Sequence, residues 1–115
     1  MSQGCIFCKI VAGEMSSSFI YQDDEVTAFK DINPQAPSHI LIVPNKHIGS
    51  VGDASGEDQA VLGKLLLAAA QIAQEKGVAN RGYRLVINTG VDGGQSVSHL
   101  HVHLLAGRQM SWPPG

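Results

Sequence analysis

Three of the five histidines in this 115-residue chain lie within five positions, in the run SHLHVHL that begins at Ser98. Alternate side chains of an extended strand point to the same side, so the spacing predicts that His99, His101 and His103 share one face. The apolar residues between them would share the other. Histidine is an uncommon choice for a face that merely meets solvent, so we interpret the histidine face as reactive and the apolar face as its anchor.

The middle histidine is suited to attack phosphorus. A neutral imidazole near pH 7 offers a nitrogen lone pair without first losing a proton. The phosphorylated imidazolium that results is a better leaving group than an alkoxide or an amine, so water can displace it. His101 has a histidine on both sides that can hold its tautomer, contact phosphate oxygens or protonate the departing group. The sequence therefore predicts His101 as the nucleophile.

A glycine-rich segment at residues 90–96 precedes the histidine run. Its glycines let backbone N–H groups approach an anion, and Gln95 and Ser96 add side-chain donors. Taken alone, such glycines more often form a plain turn. Directly before three histidines, they predict a phosphate cradle.

A stiff loop with two prolines, residues 31–37, precedes His39. His39 is placed to approach the triad, although by itself it would more often be a hydrogen-bonded structural residue. Asp31, the first residue of this loop, is its only carboxylate. A ribose diol is a natural partner for it, and a loop cap is the alternative.

Two cysteines, Cys5 and Cys8, lie three positions apart. In a cytoplasmic protein this pair is too close to be interpreted as a disulfide that staples the fold. A metal half-site, a redox pair and a reduced, buried pair all remain open.

The elements that must position these residues are strands on either side of one long helix. The helix is predicted from an N-cap at Ser55, with Asp58 three residues on, to Lys76 before Gly77, with Leu65, Leu66 and other apolar residues on its core-facing stripe. Five strands are predicted, at residues 19–21, 26–29, 39–43, 83–88 and 97–105. This order indicates an α+β fold, an antiparallel five-stranded sheet covered by one long helix.

The bulk composition narrows the function further. With 43% hydrophobic residues and no internal repeat, the chain is expected to form a single domain over residues 1–115. The net charge is −2 and the eight Lys and Arg residues form no run, so we expect no nucleic-acid partner. No apolar stretch of about 18 residues and no signal-peptide pattern is present, so we expect no membrane partner and a cytoplasmic location.

Taken together, the chain resembles the histidine triad (HIT) family, whose signature is His-x-His-x-His with apolar residues between. The likeness covers nearly the whole chain, through YQDD from Tyr21, DINPQAPSH from Asp31, DGGQSV from Asp92 and GRQMSWPPG from Gly107. That ending is similar to the Hint branch, the histidine triad nucleotide-binding proteins of the purine nucleoside phosphoramidase type. The branch more often has Tyr at the position of Ser98 and Pro at that of Ser16.

The resemblance implies a homodimer, formed through the long helix and strand edges, with the sheet continued across two protomers and a purine nucleotide site in each. It implies hydrolysis of nucleoside phosphoramidates and related adenylated compounds, with P–N, acyl or anhydride linkages, to a nucleoside monophosphate. The reaction would pass through a nucleotidyl-histidine intermediate and require no catalytic metal.

The resemblance also assigns roles to residues. His101 would be the nucleophile, His103 and His39 its companions, and His99 the first triad member. Positions on the phosphate side are matched by Asn88, Gly94, Gln95 and Ser96. Ribose and base contacts are matched by Asp31 and Ile32, with Phe7, Met15 and Phe29 around the base. Trp112 matches a residue that reaches towards the partner's active site.

Other histidine triad proteins that keep Cys-x-x-Cys use it with two histidines to hold a structural zinc ion. On that likeness Cys5, Cys8, His47 and His99 would bind Zn²⁺, for which two thiolates and two imidazoles are suitable ligands.

Two other functions remain open from the sequence. Histidines at alternate strand positions can also converge on one catalytic metal, which would make the chain a metal-dependent hydrolase. The chain can also be a binding module that senses nucleotides for a protein partner, with incidental hydrolysis.

Overall fold

The computed structural model describes residues 4–115, which contain three α-helices and five β-strands. The elements follow in the order α1 (Ile6–Val11), β1 (Phe19–Gln22), β2 (Val26–Lys30), β3 (Ser38–Pro44), α2 (Gln59–Glu75), β4 (Tyr83–Val86), α3 (Gly90–Gly93) and β5 (Val102–Ala106). Two short 3₁₀ turns, Val51–Asp53 and Gly56–Asp58, lead into α2. No helix of the described part is long and apolar enough to cross a membrane.

The strands form one antiparallel sheet in the order β1-β2-β3-β5-β4. This confirms the predicted α+β class and the five-stranded sheet with one long helix. Strands β3 and β5 lie side by side in the middle, with Leu41 opposite His103 and His39 opposite Leu105. The outer edges of the sheet belong to β1 and β4.

The long helix ends where the sequence predicts, but the predicted start at Ser55 was wrong, because Ser55 caps the 3₁₀ turn Gly56–Asp58 and α2 begins only at Gln59. The backbone N–H of Ser55 donates to the Asp58 carboxylate at 3.0 Å, one half of a capping box. Gly77, with φ +75°, follows the last helical turn. The stripe that packs on the sheet is formed by Leu65, Ala69, Ile72 and Ala73. Leu66 is 44% exposed, so its assignment to this stripe was wrong: it points partly away from the sheet.

Both faces of the sheet are covered, because the strand side chains alternate between two apolar clusters. In β3, Ile40 and Ile42 pack with α2, whereas Leu41 and Val43 pack with α1. In β5, Val102 and Leu104 belong to the α2 side, together with Leu100 before the strand. The predicted apolar anchor of the histidine run is therefore confirmed.

The last strand begins at Val102 and not at residue 97, so the prediction of a strand over 97–105 was wrong at its start. His99 and His101 lie in an irregular segment before β5. The pairing with β3 stops at Ile42 opposite Val102. Beyond that point the backbone N–H of Leu100 donates to the carbonyl of Ile48 at 2.7 Å, in the loop after β3. The chain leaves the sheet there because this loop supplies its hydrogen-bond partner.

Candidate functional site

A cavity of about 260 Å³ opens on the α1 side of the sheet. Eight residues predicted for the site line it, namely Phe7, Met15, Phe29, Asp31, Ile32, Ser96, His101 and His103. They come from α1, the segment after it, β2, the proline loop, the segment after α3 and the histidine run. The Ile32 side chain is 97% exposed although it is large and apolar, which is suited to a contact with a bound base.

The tautomer of His101 is set by the backbone. Its Nδ1 lies 2.7 Å from the carbonyl oxygen of His99, and the ring is 4% exposed. A carbonyl only accepts hydrogen bonds, so Nδ1 carries the proton and Nε2 carries the lone pair. The ring is among the residues that line the cavity, and in its neutral form Nε2 keeps the lone pair that a nucleophile requires.

An aromatic contact holds this ring in place. The edge-on contacts of Phe7 to the rings of His101 and His99 have centroid separations of 5.1 and 5.9 Å. Phe7 belongs to α1 and is itself buried. Helix α1 therefore forms a wall of the cavity and supports the candidate nucleophile.

His39 and His103 form a hydrogen-bonded pair. The backbone N–H of Gln35 donates to Nδ1 of His39 at 3.0 Å, so the proton of a neutral His39 is on Nε2. That nitrogen lies 2.9 Å from Nδ1 of His103 and 3.3 Å from the Asp31 carboxylate. His103 accepts at Nδ1, so its own proton is on Nε2. Two neighbouring histidines of the cavity thus have opposite tautomers, His101 with a lone pair and His103 with a donor at Nε2.

Burial keeps this pair neutral. It lowers the pKa of His39, against the opposing attraction of Asp31. It also lowers the pKa of His103 from 6.5 to about 4, with further lowering by repulsion from His101 and His39. At pH 7 both rings are uncharged hydrogen-bonding groups.

The predicted zinc ligands converge on one point. Ligand atoms of Cys5, Cys8, His47 and His99 all lie within 4.8 Å of one another, and all except the half-buried His47 are buried. Nδ1 of His99 is 3.2 Å from Sγ of Cys5 and 3.5 Å from Sγ of Cys8. Nδ1 of His47 is 3.2 Å from Sγ of Cys8. Nitrogen and sulfur ligands of one tetrahedral zinc ion stand about 3.6 Å apart, so these distances fit the ion.

The protonation of His99 also fits a metal ligand. Its Nε2 lies 2.9 Å from the carbonyl oxygen of Pro44, so Nε2 donates and Nδ1 presents a lone pair to the sulfurs. Burial lowers the pKa of His99, which keeps the ring neutral. Neither cysteine is in a disulfide.

The glycine-rich segment forms the single turn of α3, followed by Gly94 with φ +83°. The Gln95 amide donates to the carbonyls of Gly49 and Val97 at 2.7 and 2.9 Å, and its oxygen accepts from the N–H of Gly90 at 3.0 Å. The side chain therefore braces this loop. A direct contact between Gln95 and phosphate stays a prediction.

Several predicted residues do not line the cavity. His39 is hydrogen-bonded to His103, which does line the cavity. The carbonyl group of His99 accepts a hydrogen bond from His101, which also lines it. Asn88 is half-buried, Gly94 is exposed and the Trp112 side chain is 82% exposed. Their predicted nucleotide contacts, like that of Trp112 with a partner protomer, stay predictions.

Sequence reasoning missed the backbone groups that set the tautomers, the N–H of Gln35 and the carbonyls of Pro44 and His99. No residue type signals them, because every residue has such groups. It also missed apolar and polar members of the lining, Ile6, Ile10, Ser17, Lys30, Leu41 and Val97, together with Ser16, noted only as a departure from the family pattern.

Comparison with known proteins gives consistent results. Residues 12–110 match the HIT domain family. Purine nucleoside phosphoramidase of Escherichia coli (strain K12) is 52% identical over 110 residues, which cover 96% of this chain and 92% of that protein. Among solved structures, a HIT family hydrolase from Legionella pneumophila Philadelphia 1 has a TM-score of 0.95 at 48% identity, covering 97% of this chain and all of the other. A histidine triad protein from Clostridium difficile has a TM-score of 0.94 at 45% identity, covering 96% of each chain.

Proposed function

The chain belongs to the HIT domain family, and we propose that it is a hydrolase that releases nucleoside monophosphates from purine nucleoside phosphoramidates and related adenylated compounds, with His101 as the nucleophile. The observation that carries the proposal is the 2.7 Å contact between Nδ1 of His101 and the carbonyl of His99. It leaves the Nε2 lone pair on a ring that lines the cavity. The name of the Escherichia coli relative supports the substrate class.

The cavity provides separate places for the parts of a nucleotide. The rings of Phe7 and Phe29 stand edge to face at 5.5 Å and, with Met15 and Ile32, form an apolar wall suited to a purine base. Asp31 lines the same cavity and is suited to ribose hydroxyls. The phosphate would then lie among Ser96, His101 and His103.

The proposed reaction has two displacement steps. Nε2 of His101 attacks the α-phosphorus, the N–P bond to His101 forms, and the bond between phosphorus and the leaving group breaks. His103, with its proton on Nε2, is placed to hydrogen-bond the phosphate and to donate that proton to the departing atom. Water then attacks phosphorus, the bond to His101 breaks, and the proton that the water releases returns to Nε2 of His103, so the nucleoside monophosphate leaves with both histidines restored.

A zinc ion held by Cys5, Cys8, His47 and His99 would supply structural stability. It would tie α1 to the loop after β3 and to the segment before β5. The residues that hold it take no part in the displacement steps, apart from the backbone carbonyl of His99.

Asp31, His39 and His103 are the residues on which a metal-dependent reaction would rest, since their ligand atoms also lie within 4.8 Å of one another. The separation of 2.9 Å between Nε2 of His39 and Nδ1 of His103 is that of a direct hydrogen bond. The N–H of Gln35 occupies Nδ1 of His39, so Nε2 of His39 carries the proton and offers no lone pair to a metal. This geometry favours the histidine nucleophile.

Mass spectrometry of the protein mixed with an adenosine phosphoramidate tests the proposal. We expect a transient, acid-labile adenylyl adduct on the parent protein and on Ser98→Ala, a control beside the triad. We expect no adduct on His101→Ala, and a loss of kcat on the order of 10⁴-fold. Adenosine monophosphate should bind His101→Ala nearly as tightly as the parent, which shows that the variant is folded.

Three outcomes would contradict the proposal. An adduct on His101→Ala would move the nucleophile elsewhere. Loss of turnover on chelation, with recovery on adding metal and no adduct at any time, would favour the metal-dependent hydrolase. Tight monophosphate binding without turnover or adduct would favour the binding module.

A further inference from the structure

His99 takes part in both the candidate zinc site and the candidate catalytic site. Its ring nitrogen Nδ1 lies 3.2 Å from Sγ of Cys5 and 3.5 Å from Sγ of Cys8. Its backbone carbonyl oxygen lies 2.7 Å from Nδ1 of His101 and sets the tautomer of that ring. One residue therefore connects the two cysteines to the candidate nucleophile.

The carbonyl group of His99 lies outside the sheet. His99 belongs to the irregular segment before β5, a strand that begins only at Val102. Its neighbour Leu100 donates a backbone hydrogen bond to the carbonyl of Ile48, in the loop after β3. A peptide group outside a β-ladder has fewer restraints than one within it. The direction of the His99 carbonyl therefore depends on how firmly the His99 side chain is anchored.

The ring of His99 is fully buried and is contacted on several sides. Its Nε2 donates to the carbonyl of Pro44 at 2.9 Å. The rings of His47 and Phe7 stand edge-on to it, with centroid separations of 4.9 and 5.9 Å. The other ring nitrogen, Nδ1, faces the two sulfurs and is the atom that a bound zinc ion would fix. The ion would therefore complete the anchoring of this ring.

Phe7 forms a second connection between the two sites. It lies between Cys5 and Cys8 in the sequence, and its ring contacts the rings of both His99 and His101. Cys5 caps α1, because the N–H of Cys8 donates to Sγ of Cys5 at 3.3 Å. The two cysteines thus also fix the helical turn that places Phe7 beside His101.

We propose that His99 and Phe7 are positioning residues, through which a zinc ion on the four candidate ligands holds His101 in its reactive tautomer. This inference rests on the proposed function, since it concerns the same nucleophile. Loss of the ion would free the His99 ring, loosen its carbonyl group and allow the proton of neutral His101 to occupy either ring nitrogen. Molecules with that proton on Nε2 would lack the lone pair that attacks phosphorus.

Two substitutions at His47 separate metal binding from packing, because both remove the contact of the His47 ring with His99. His47 would bind zinc through Nδ1, the ring nitrogen nearer the backbone, which lies 3.2 Å from Sγ of Cys8. A cysteine thiolate at this position can take its place, and three cysteines with one histidine are a common zinc ligand set. We expect one zinc ion per chain in the parent and in His47→Cys, and loss of the ion from His47→Ala on dialysis.

Nuclear magnetic resonance of protein labelled with ¹⁵N at histidine reports which ring nitrogen carries the proton. At a single pH at which His101 is neutral, we expect one His101 tautomer, protonated on Nδ1, in the parent and in His47→Cys. We expect a mixture of tautomers in His47→Ala, with kcat lowered by about tenfold, the factor that loss of one hydrogen bond gives. Leu65→Ala, a buried substitution on the α2 side of the sheet, lowers stability away from α1 and should keep the parent tautomer.

Exchange of zinc for cadmium gives a test that needs no substitution. Cadmium binds the same thiolate and imidazole ligands but is a larger ion, so the His99 ring would move while the chain stays folded. We expect the ring signals of His99 and His101 to shift together. Those of His39, which is held by the N–H of Gln35, should stay in place.

Three results would overturn the proposal. A parent protein without zinc would remove the ion on which it rests. A single His101 tautomer in zinc-free His47→Ala, or cadmium shifts confined to His99, would show that the nucleophile is independent of the ion. Equal mixing of tautomers in His47→Ala and Leu65→Ala would assign the effect to lower stability alone. Absence of an adenylyl adduct on the parent would instead refute the proposed hydrolysis, without altering these ring signals.

Discussion

The ring protons of the histidines around the candidate site are placed mainly by backbone groups. The carbonyl of His99 places the ring proton of His101, and the carbonyl of Pro44 places the ring proton of His99. The N–H of Gln35 places the ring proton of His39. The ring proton of His103 is then placed by its hydrogen bond with His39. Because backbone groups neither titrate nor rotate freely, the tautomers are preorganised before a substrate binds.

The protonation of His103 gives a prediction at the residue scale. The pKa of His103 is about 4 in the folded protein, against 6.5 for a solvent-exposed histidine. Between pH 4 and 6.5 the unfolded chain therefore binds more protons than the folded chain does. The stability that neutral His103 provides is therefore complete above pH 6.5 and declines as the pH falls towards 4. We expect ring signals of His103 to titrate with a midpoint near 4.

The free energy of unfolding, measured by denaturant titration at several pH values, should follow the same direction. In His103→Gln the fall between pH 6.5 and 4 should be shallower than in the parent, because one titrating group is gone. A His103 midpoint near 6.5, or parallel pH profiles for the two proteins, would contradict this prediction.

At the scale of elements, the turn after β5 is packed tightly on the proline loop. Gly107 has φ +95°, and a Cβ at this position would lie 2.8 Å from Cβ of Pro37. Glycine is required here both for its backbone conformation and for the space. Pro37 is two residues before His39, so this contact helps to position the histidine pair.

Gly107→Ala is therefore expected to lower the free energy of unfolding by about 1–3 kcal/mol and to reduce kcat. Gly82→Ala is a matched control, because Gly82 has a similar φ of +101° but nothing within 4 Å of the added Cβ. Thermal unfolding and turnover of both variants measure the difference. Equal effects of the two substitutions would show that the backbone conformation alone accounts for the lower free energy of unfolding, with no contribution from the contact with Pro37.

The candidate zinc ligands would join α1 to the loop after β3 and to the segment before β5, two segments already linked by the hydrogen bond from the N–H of Leu100 to the carbonyl of Ile48. Cys5 and Cys8 come from the start of α1, His47 from the loop after β3 and His99 from the segment before β5. We expect one zinc ion per chain by mass spectrometry under non-denaturing conditions. A metal at a thousandfold excess over its dissociation constant stabilises a fold by about 4 kcal/mol, so chelation should lower the unfolding temperature.

Cys8→Ser should bind zinc weakly and unfold at the lower temperature with or without chelator. Ser50→Ala, a substitution in the loop that carries His47 but at a residue that contacts no candidate zinc ligand, should behave like the parent. A parent protein whose unfolding temperature is unaffected by chelator, and which carries no metal, would show that the cysteines are a reduced, buried pair.

At the scale of the whole molecule, the sheet has an unpaired outer edge at β4. A cavity on the β1 side of the sheet is lined by Tyr21 of β1 and Leu67 of α2. Leu66, the neighbouring residue of α2, does not line that cavity and is 44% exposed. An open strand edge and an exposed apolar helix residue are features that a partner protomer would cover. They agree with the expected homodimer, which stays a prediction.

Light scattering should give about twice the 12.2 kDa mass of the chain. Leu66→Glu should shift the protein towards the monomer, because a carboxylate would be buried at the interface. Leu67→Glu places the same charge on the neighbouring residue, which is 74% exposed, and should leave the dimer intact. A monomeric parent, or equal effects of both substitutions, would contradict the prediction.

The sequence by itself determined the fold class, the C-terminal end of α2 and the residues proposed as reactive, all from residue type and spacing, which are local properties of the chain. The family resemblance named the four candidate zinc ligands, whose ligand atoms the structure brings within 4.8 Å of one another. The sequence pattern placed the start of β5 too early, at residue 97, because apolar and polar alternation continues past the point where the backbone leaves its partner strand.

Only the tertiary structure decided which nitrogen of each histidine carries the proton, that Gln95 braces its own loop, and that His99 links the two cysteines to His101. These features depend on backbone groups and on residues brought together from separate elements. Such groups carry no signature in residue type, and their positions are fixed only when the sheet, its two covering helices and the loops between them pack together.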